Sequence, residues 1–162
     1  MGGEAADPVR EAYDRTAVVY DRLTRADDYD VWVGLYRQLI DRHGAPGRDL
    51  VDLGCGTGKA ALRLASSGFR VTGIDLSPEM VRMASAKPGA EEVRFLVGDL
   101  RDLPEAGPFD VAVALGEPLN YLTDEGELRA SFRSVAGVLR PGGICSSSMS
   151  TRPASTAGSP RR

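Results

Sequence analysis

The sequence predicts an α/β fold, an open and mostly parallel sheet with helices on both faces. Three stretches carry that reading. Leu50 to Leu53 is a short apolar run that feeds glycines at 54, 56 and 58, after which Ala60, Ala61, Leu62, Leu64 and Ala65 read as a helix stopping at Gly68. Phe69 to Ile74 is a second strand ending in Asp75, about 20 residues beyond the glycines, as a βαβ unit requires. Phe109 to Leu115 is an almost continuous apolar run, the pattern of a central parallel strand buried on both faces.

Taken in order, the first residues from Met1 are small and polar and are expected to be loose. A repeated Tyr-Asp pattern follows, Tyr13-Asp14 and Tyr20-Asp21. Between Tyr29 and His43, Trp32, Leu35, Tyr36, Leu39 and Ile40 recur at i, i+3, i+4, i+7 and i+8, the stripe of an amphipathic helix that ends at Gly44 and Pro46. His43 is the single histidine. It sits in the last turn, where the helix dipole favours a cation, and that placement suffices without catalysis.

The glycine turn lets the chain reverse with positive φ and lets a ligand lie against the backbone. The helix after it presents unpaired N–H groups. A dinucleotide fingerprint would need glycine at 59, where Lys59 stands, and a triphosphate loop would need Ser or Thr after Gly58-Lys59, where Ala60 stands. Asp52, just ahead of the turn, is unsuited to a phosphate and suited to a cation such as a methionine-like ammonium group. Asp75 has the carboxylate oxygens to accept from a ribose diol. Ser77 with Pro78 caps the next helix, whose apolar stripe is Met80, Val81 and Ala84. Glu92 to Val97 is a third strand with Val93, Phe95 and Val97 inward, ending in Gly98-Asp99-Leu100 at the ligand-binding edge of such sheets, and Asp102 and Glu105 read as solvated. Beyond Leu115, Thr123 caps a helix whose buried face is Leu128, Phe132, Val135 and Leu139, stopped by Arg140-Pro141-Gly142-Gly143. Ile144 should open a fifth strand, yet Cys145 to Arg162 holds six serines, two prolines and almost no apolar side chain, too little to offset its ordering entropy.

Val51-Asp52-Leu53-Gly54-Cys55-Gly56-Thr57-Gly58 resembles the cofactor motif of class I S-adenosylmethionine-dependent methyltransferases, and Gly73-Ile74-Asp75-Leu76-Ser77 resembles that family's second motif. The resemblance runs from about Tyr13 to Gly143. It implies a Rossmann-like fold and S-adenosyl-L-methionine as cofactor, held by Asp52, Gly54, Cys55, Gly56, Gly58, Asp75, Leu76, Met80, Asp99, Leu100 and Leu115. Met80 would lie near the adenine, Asp99 would accept from the adenine amino group, and the Leu100 N–H would point to a ring nitrogen. An N-terminal segment would fold over the site, with Tyr13 or Tyr20 covering the methionine end. Glu117, Asn120 and Tyr121 would face the acceptor, with Glu117 and Tyr121 the catalytic candidates and Glu117 able to receive a proton. The N-P-P-Y signature of enzymes that methylate nucleic-acid amino groups is replaced by Glu117-Pro118-Leu119-Asn120-Tyr121, which favours a small-molecule acceptor methylated at N or O.

The family normally continues with an apolar fifth strand, a helix and a closing hairpin. The expected organisation is therefore a truncated chain lacking the last strands of the full fold: residues 1–46 a helical lid, 47–144 the cofactor-binding core, 145–162 a disordered tail. The strand ending at Leu115 would then form an exposed edge prone to self-association. Two other readings remain at this point. One is a non-catalytic S-adenosylmethionine-binding fragment or interaction module. The other is an NAD-dependent oxidoreductase, weakened by Lys59.

A chain of 162 residues suits one domain. A net charge of −3 gives no excess of positive charge for nucleic acid. Cys55 and Cys145 are the only cysteines, one inside the glycine turn, which favours a reducing compartment over a disulfide framework. No apolar run approaches the roughly 20 residues of a membrane span. A cytoplasmic protein with no membrane partner and no metal site is expected.

Overall fold

The computed structural model describes residues 7–148. Five strands, β1 (Asp49–Leu53), β2 (Arg70–Asp75), β3 (Val93–Val97), β4 (Phe109–Ala114) and β5 (Leu139–Ser147), form one parallel sheet in the order β3-β2-β1-β4-β5. Helices α1 (Pro8–Leu23), α2 (Tyr29–His43), α3 (Lys59–Ser66), α4 (Pro78–Ser85) and α5 (Glu125–Val138) surround it. The chain winds outward from β1 to β3, then returns to build β4 and β5 on the other side. That reversal puts a switch point between β1 and β4, the place where such sheets open a crevice at their carboxyl edge.

The period-2 alternation of the strands divides the core into two layers. Leu50, Val71, Val111 and Val113 meet Val33, Tyr36 and Ile40 of α2 and Ala61 and Leu64 of α3. Val51, Leu53, Ile74, Ala112 and Ala114 face the opposite way, toward Leu103 and Val135 of α5. Every residue of β4 is buried, as its continuous apolar run requires.

Several expected faces are turned differently. In α2 the buried stripe is Val33, Tyr36 and Ile40, while Trp32 and Leu35 are exposed. In α5 it is Ser131 and Val135, Phe132 is exposed, and Asp124 rather than Thr123 caps the helix by accepting from the Glu127 N–H. Val97 is exposed as well, because β3 is an edge strand. The largest correction is at the end of the sheet. Leu139 opens β5 rather than closing the helix, and Ile144, Cys145, Ser146 and Ser147 pair with Val111, Ala112, Val113 and Ala114. The expected tail therefore does not begin at Cys145, and β4 is not an edge. A strand beside β4 is bonded by its backbone, so small polar side chains suffice where one face is open. Residues 149–162 of the expected tail, and the first six residues, lie outside the described residues.

The amino end of the sheet is closed by an ion lattice. Asp110, only 3% exposed, accepts from the Asp49 N–H at 2.9 Å and pairs with Arg140 at 2.9 Å. Asp49 takes Arg140 at 2.9 Å and Arg70 at 2.5 Å. Those two guanidiniums, Arg70 first, hold the Asp49 carboxyl below its ordinary range. Gly47 is glycine for this reason, since a Cβ there would stand 2.3 Å from the Asp110 Oδ2.

Candidate functional site

At the carboxyl edge the loops after β1, β2, β3 and β4 enclose, with α1, a cavity of about 340 Å³. Its floor is the glycine turn. Gly54 (φ 68°) and Gly56 (φ 54°) adopt the left-handed conformation, but their reasons differ. A Cβ on Gly54 would lie 2.6 Å from Pro118 Cβ, so glycine lets the loops after β1 and β4 touch. A Cβ on Gly56 would meet only the Tyr20 ring, at 3.8 Å, because that face looks into the cavity.

Two carboxylates from neighbouring strands converge beside the turn. Asp75 accepts from the Gly56 N–H through Oδ2 at 2.7 Å and from the Ser77 N–H through Oδ1 at 2.9 Å. It thereby ties the turn to the start of α4, and each oxygen keeps a second lone pair. Burial raises its carboxyl above the ordinary range. Asp52 is 1% exposed, and its Oδ2 has no hydrogen-bond partner among the described residues. Burial, reinforced by the Asp75 charge, pushes its carboxyl up to about 8. A buried carboxylate oxygen with no partner is costly unless something arrives to pair with it. The Cys55 thiol between them is driven well above its ordinary value by burial and then by Asp52.

The roof is aromatic. Tyr13 and Tyr20 of α1 line the cavity, with ring centroids 6.1 Å apart, and the Tyr13 hydroxyl donates to that of Tyr121 at 2.5 Å. Burial raises the Tyr13 hydroxyl, and raises Tyr20 to about 12, so both stay protonated near neutral pH. Two cations complete the rim. Lys59 donates to Thr24 Oγ1 at 2.7 Å and to the Thr24 carbonyl at 3.1 Å, and lies 5.1 Å over the Tyr29 ring. Arg101 grips Asp99 with Nε and Nη2, reaches Glu127 of α5 with Nη1 at 2.6 Å, and reaches Asp7 at the cap of α1 with Nη2 at 2.9 Å.

Of the residues singled out from sequence, Asp52, Gly54, Cys55, Gly56, Asp75, Leu76, Asp99, Leu100, Leu115, Tyr13, Tyr20 and Tyr121 line this cavity. Four do not. Met80 is wholly buried in the core. Gly58 serves packing, since a Cβ there would sit 2.9 Å from the Phe95 ring and 3.0 Å from Ala84. Glu117, itself left-handed at φ 64°, turns away and accepts from Asn120 Nδ2 at 3.1 Å, so that pair stands outside. Asp99 is in place, but both its oxygens are held by Arg101. Sequence reasoning missed Asp7, Tyr29, Lys59, Arg101 and Glu127 as wall residues. The one available signal was the spacing of Asp7, Asp14 and Asp21, which the Tyr-Asp repeat shows in part.

Residues 50–143 match the family described as "Methyltransferase domain". A putative methyltransferase of Geobacillus sp. (strain WCH70) is 36% identical over 135 residues, covering 82% of this chain and 55% of that protein. The dTDP-4-amino-2,3,4,6-tetradeoxy-D-glucose N,N-dimethyltransferase of Saccharopolyspora spinosa is 32% identical over 130 residues, covering 79% and 51%. Among solved structures, CalS10 with S-adenosylmethionine bound, an amino pentose methyltransferase from Micromonospora echinaspora, superposes with a TM-score of 0.72 at 25% identity, covering 94% of this chain and 61% of that one. The chain thus spans about half the length of the curated relatives it matches.

Proposed function

The chain belongs to the class I S-adenosylmethionine-dependent methyltransferase family, and from that membership we propose that it binds S-adenosylmethionine in the cavity at the carboxyl edge of its sheet and directs the methyl group to a nitrogen or oxygen of a small-molecule acceptor. The observation that carries the reading is the buried, unpartnered Asp52 Oδ2 beside a glycine whose missing Cβ leaves the cavity open. That donor set suits this cofactor. Asp52 takes the ammonium group, the free lone pairs of Asp75 take the ribose hydroxyls, and Leu100 and Asp99 border the adenine. When bound, the cofactor supplies a methyl group already activated by its sulfonium.

The protein's share is alignment and exclusion of water rather than proton transfer. Tyr13 and Tyr20 roof the methionine end, and Tyr121 presents its hydroxyl to the acceptor side. With Glu117 turned away, no carboxylate of that loop takes the acceptor's proton. An amine entering as its free base needs no such help. The amino-sugar and amino-pentose enzymes among the similar proteins favour nitrogen on the same ground. Among the described residues no helix is long and apolar enough to cross a membrane. Two free cysteines favour the cytoplasm as its place of action.

Calorimetric titration with S-adenosylmethionine, S-adenosylhomocysteine and NAD tests the ligand. The first two should bind and NAD should not, and the reverse order refutes the reading. Mass-detected methylation across matched amine and hydroxyl acceptors then tests the transfer, and tight binding with no product from any acceptor identifies a binding module instead.

A further inference from the structure

Helix α2 carries more apolar side chains than its core contacts use. Val33, Tyr36 and Ile40 are buried, yet Val31, Trp32 and Leu35 remain 62%, 38% and 52% exposed, with Leu39 partly exposed beside them. At about 100° per residue, Trp32, Leu35 and Leu39 fall opposite Asp30 on the helix. Asp30 pairs with Arg63 of α3 at 2.5 Å, so this second stripe lies on the flank turned away from α3. That flank overhangs the open side of the sheet. Tyr36 donates to the Ala114 carbonyl at 3.5 Å, Ala114 sits beside Ser147, and Ile144 packs against the same layer as the helix. Among the described residues β5 is the outermost strand on that side. The Ser148 N–H reaches the Ala114 carbonyl, so by alternation the N–H groups of Cys145 and Ser147 point outward, to the free edge.

The stripe reads the same in both directions. Val31 and Leu39 stand four residues either side of Leu35, and Asp28 and Arg42, both exposed, stand seven either side. Spacings of four and seven keep to one helix face. A two-fold axis at Leu35 therefore sets Leu35 on its own copy, Val31 on Leu39 and the acidic Asp28 on the basic Arg42, the reciprocity an isologous contact requires. Asp28 is already held in place, because it caps α2 by accepting from the Val31 N–H at 3.1 Å. Helices packed face to face lie roughly 8–10 Å apart, about two strand spacings, so the same axis draws two β5 edges together beneath them. Residues 149–162 offer one large apolar side chain, Met149, and make a poor cover for such a stripe.

We propose that this flank of α2 is the seam of a homodimer, with the two helices antiparallel about a dyad at Leu35 and the two β5 edges side by side. A second copy is the partner it fits, since both the apolar stripe and the charges at its ends are complementary to themselves. The proposal stands apart from the cofactor reading.

The test uses the full chain. Light scattering should give twice the monomer mass at about 100 μM and the monomer mass below about 1 μM, as suits a small interface. Trp32 is the only tryptophan, so its emission reports on this seam alone and should move to the blue as concentration rises. Leu35→Glu should weaken association more than about 100-fold by setting two like charges on the axis, with the circular dichroism intact. Arg42→Glu should weaken it about tenfold at low salt and less at high salt, where the new repulsion is screened. A short bis-maleimide should join Cys145 of two wild-type copies, Cys55 being buried. A monomer at every concentration overturns the proposal, and one whose Trp32 emission is already blue shows the stripe covered from within its own chain. A dimer that survives Leu35→Glu, or whose Cys145 residues stay unlinked, has its seam elsewhere and overturns it too.

Discussion

Replacing Asp52 by Asn removes a proton that the folded state holds and the unfolded chain releases. The wild-type carboxyl titrates near 3.8 when unfolded and about 8 in the fold, through burial and then the Asp75 charge. A group raised in this way favours the folded state fully below about pH 4, and that advantage is lost as pH rises through about 8. The gap corresponds to at most about 6 kcal/mol, of which about 4 kcal/mol is gone by neutral pH. Against a total stability of roughly 5–15 kcal/mol that is a large fraction. The amide of the variant has nothing to titrate. Urea unfolding of both proteins at intervals from about pH 5 to about pH 8 should show the stability of Asp52→Asn rising relative to wild type by roughly 3–4 kcal/mol across that window, then levelling. S-adenosylhomocysteine should shrink the difference, because its ammonium compensates the wild-type charge and not the amide. Parallel pH profiles for the two unliganded proteins would refute the argument that this carboxyl is buried with one oxygen unpartnered.

Three further outcomes are expected. Gly56→Ala should fold, at a cost of about 1–2 kcal/mol for a left-handed alanine, yet lose more than tenfold in S-adenosylhomocysteine affinity by calorimetry because its methyl stands in the cavity; ordinary affinity in a folded variant means that the glycine does not face the ligand. Asp75→Ala should weaken the same ligand roughly 10- to 100-fold, and unchanged affinity with the circular dichroism intact removes the ribose role. Tyr121→Phe should leave that affinity within about twofold while slowing methyl transfer to a responsive acceptor by roughly tenfold, so equal turnover would take Tyr121 out of the acceptor site.

The elements legible in the sequence are those whose local chemistry leaves one solution. The run at Phe109 to Leu115 is apolar on nearly every residue because β4 is covered on both sides, and the glycines of the turn mark left-handed backbone and close approach. The stripe of α2 is ambiguous in sequence because Trp32, Leu35 and Val33 are all apolar, and only the position of α3 and the sheet decides which set is covered. β5 escapes a reading of side chains because edge strands are held by backbone bonds that side chains do not advertise. The role expected of Glu117 fails for a conformational reason, since two consecutive left-handed residues, Gly116 and Glu117, turn that side chain off the cavity. Arg101 is invisible for a different one: its partners Asp7 and Glu127 lie far away in sequence and meet only when the fold closes.

All five strands run the same way, and the ion lattice of Asp49, Asp110 and Arg140 therefore has a consequence for how this chain tolerates change. At that end of the sheet the carboxylates find their partners within the protein, while at the other end the Asp52 Oδ2 is left without one among the described residues. A saturation library sorted first for cellular abundance and then for ligand capture should split along the direction of the strands. Substitutions at Asp49 and Asp110 should disappear in the first sort, whereas Asp52→Asn should pass the first and fail the second. The boundary between the two kinds of selection falls inside a single strand, within the three steps from Asp49 to Asp52.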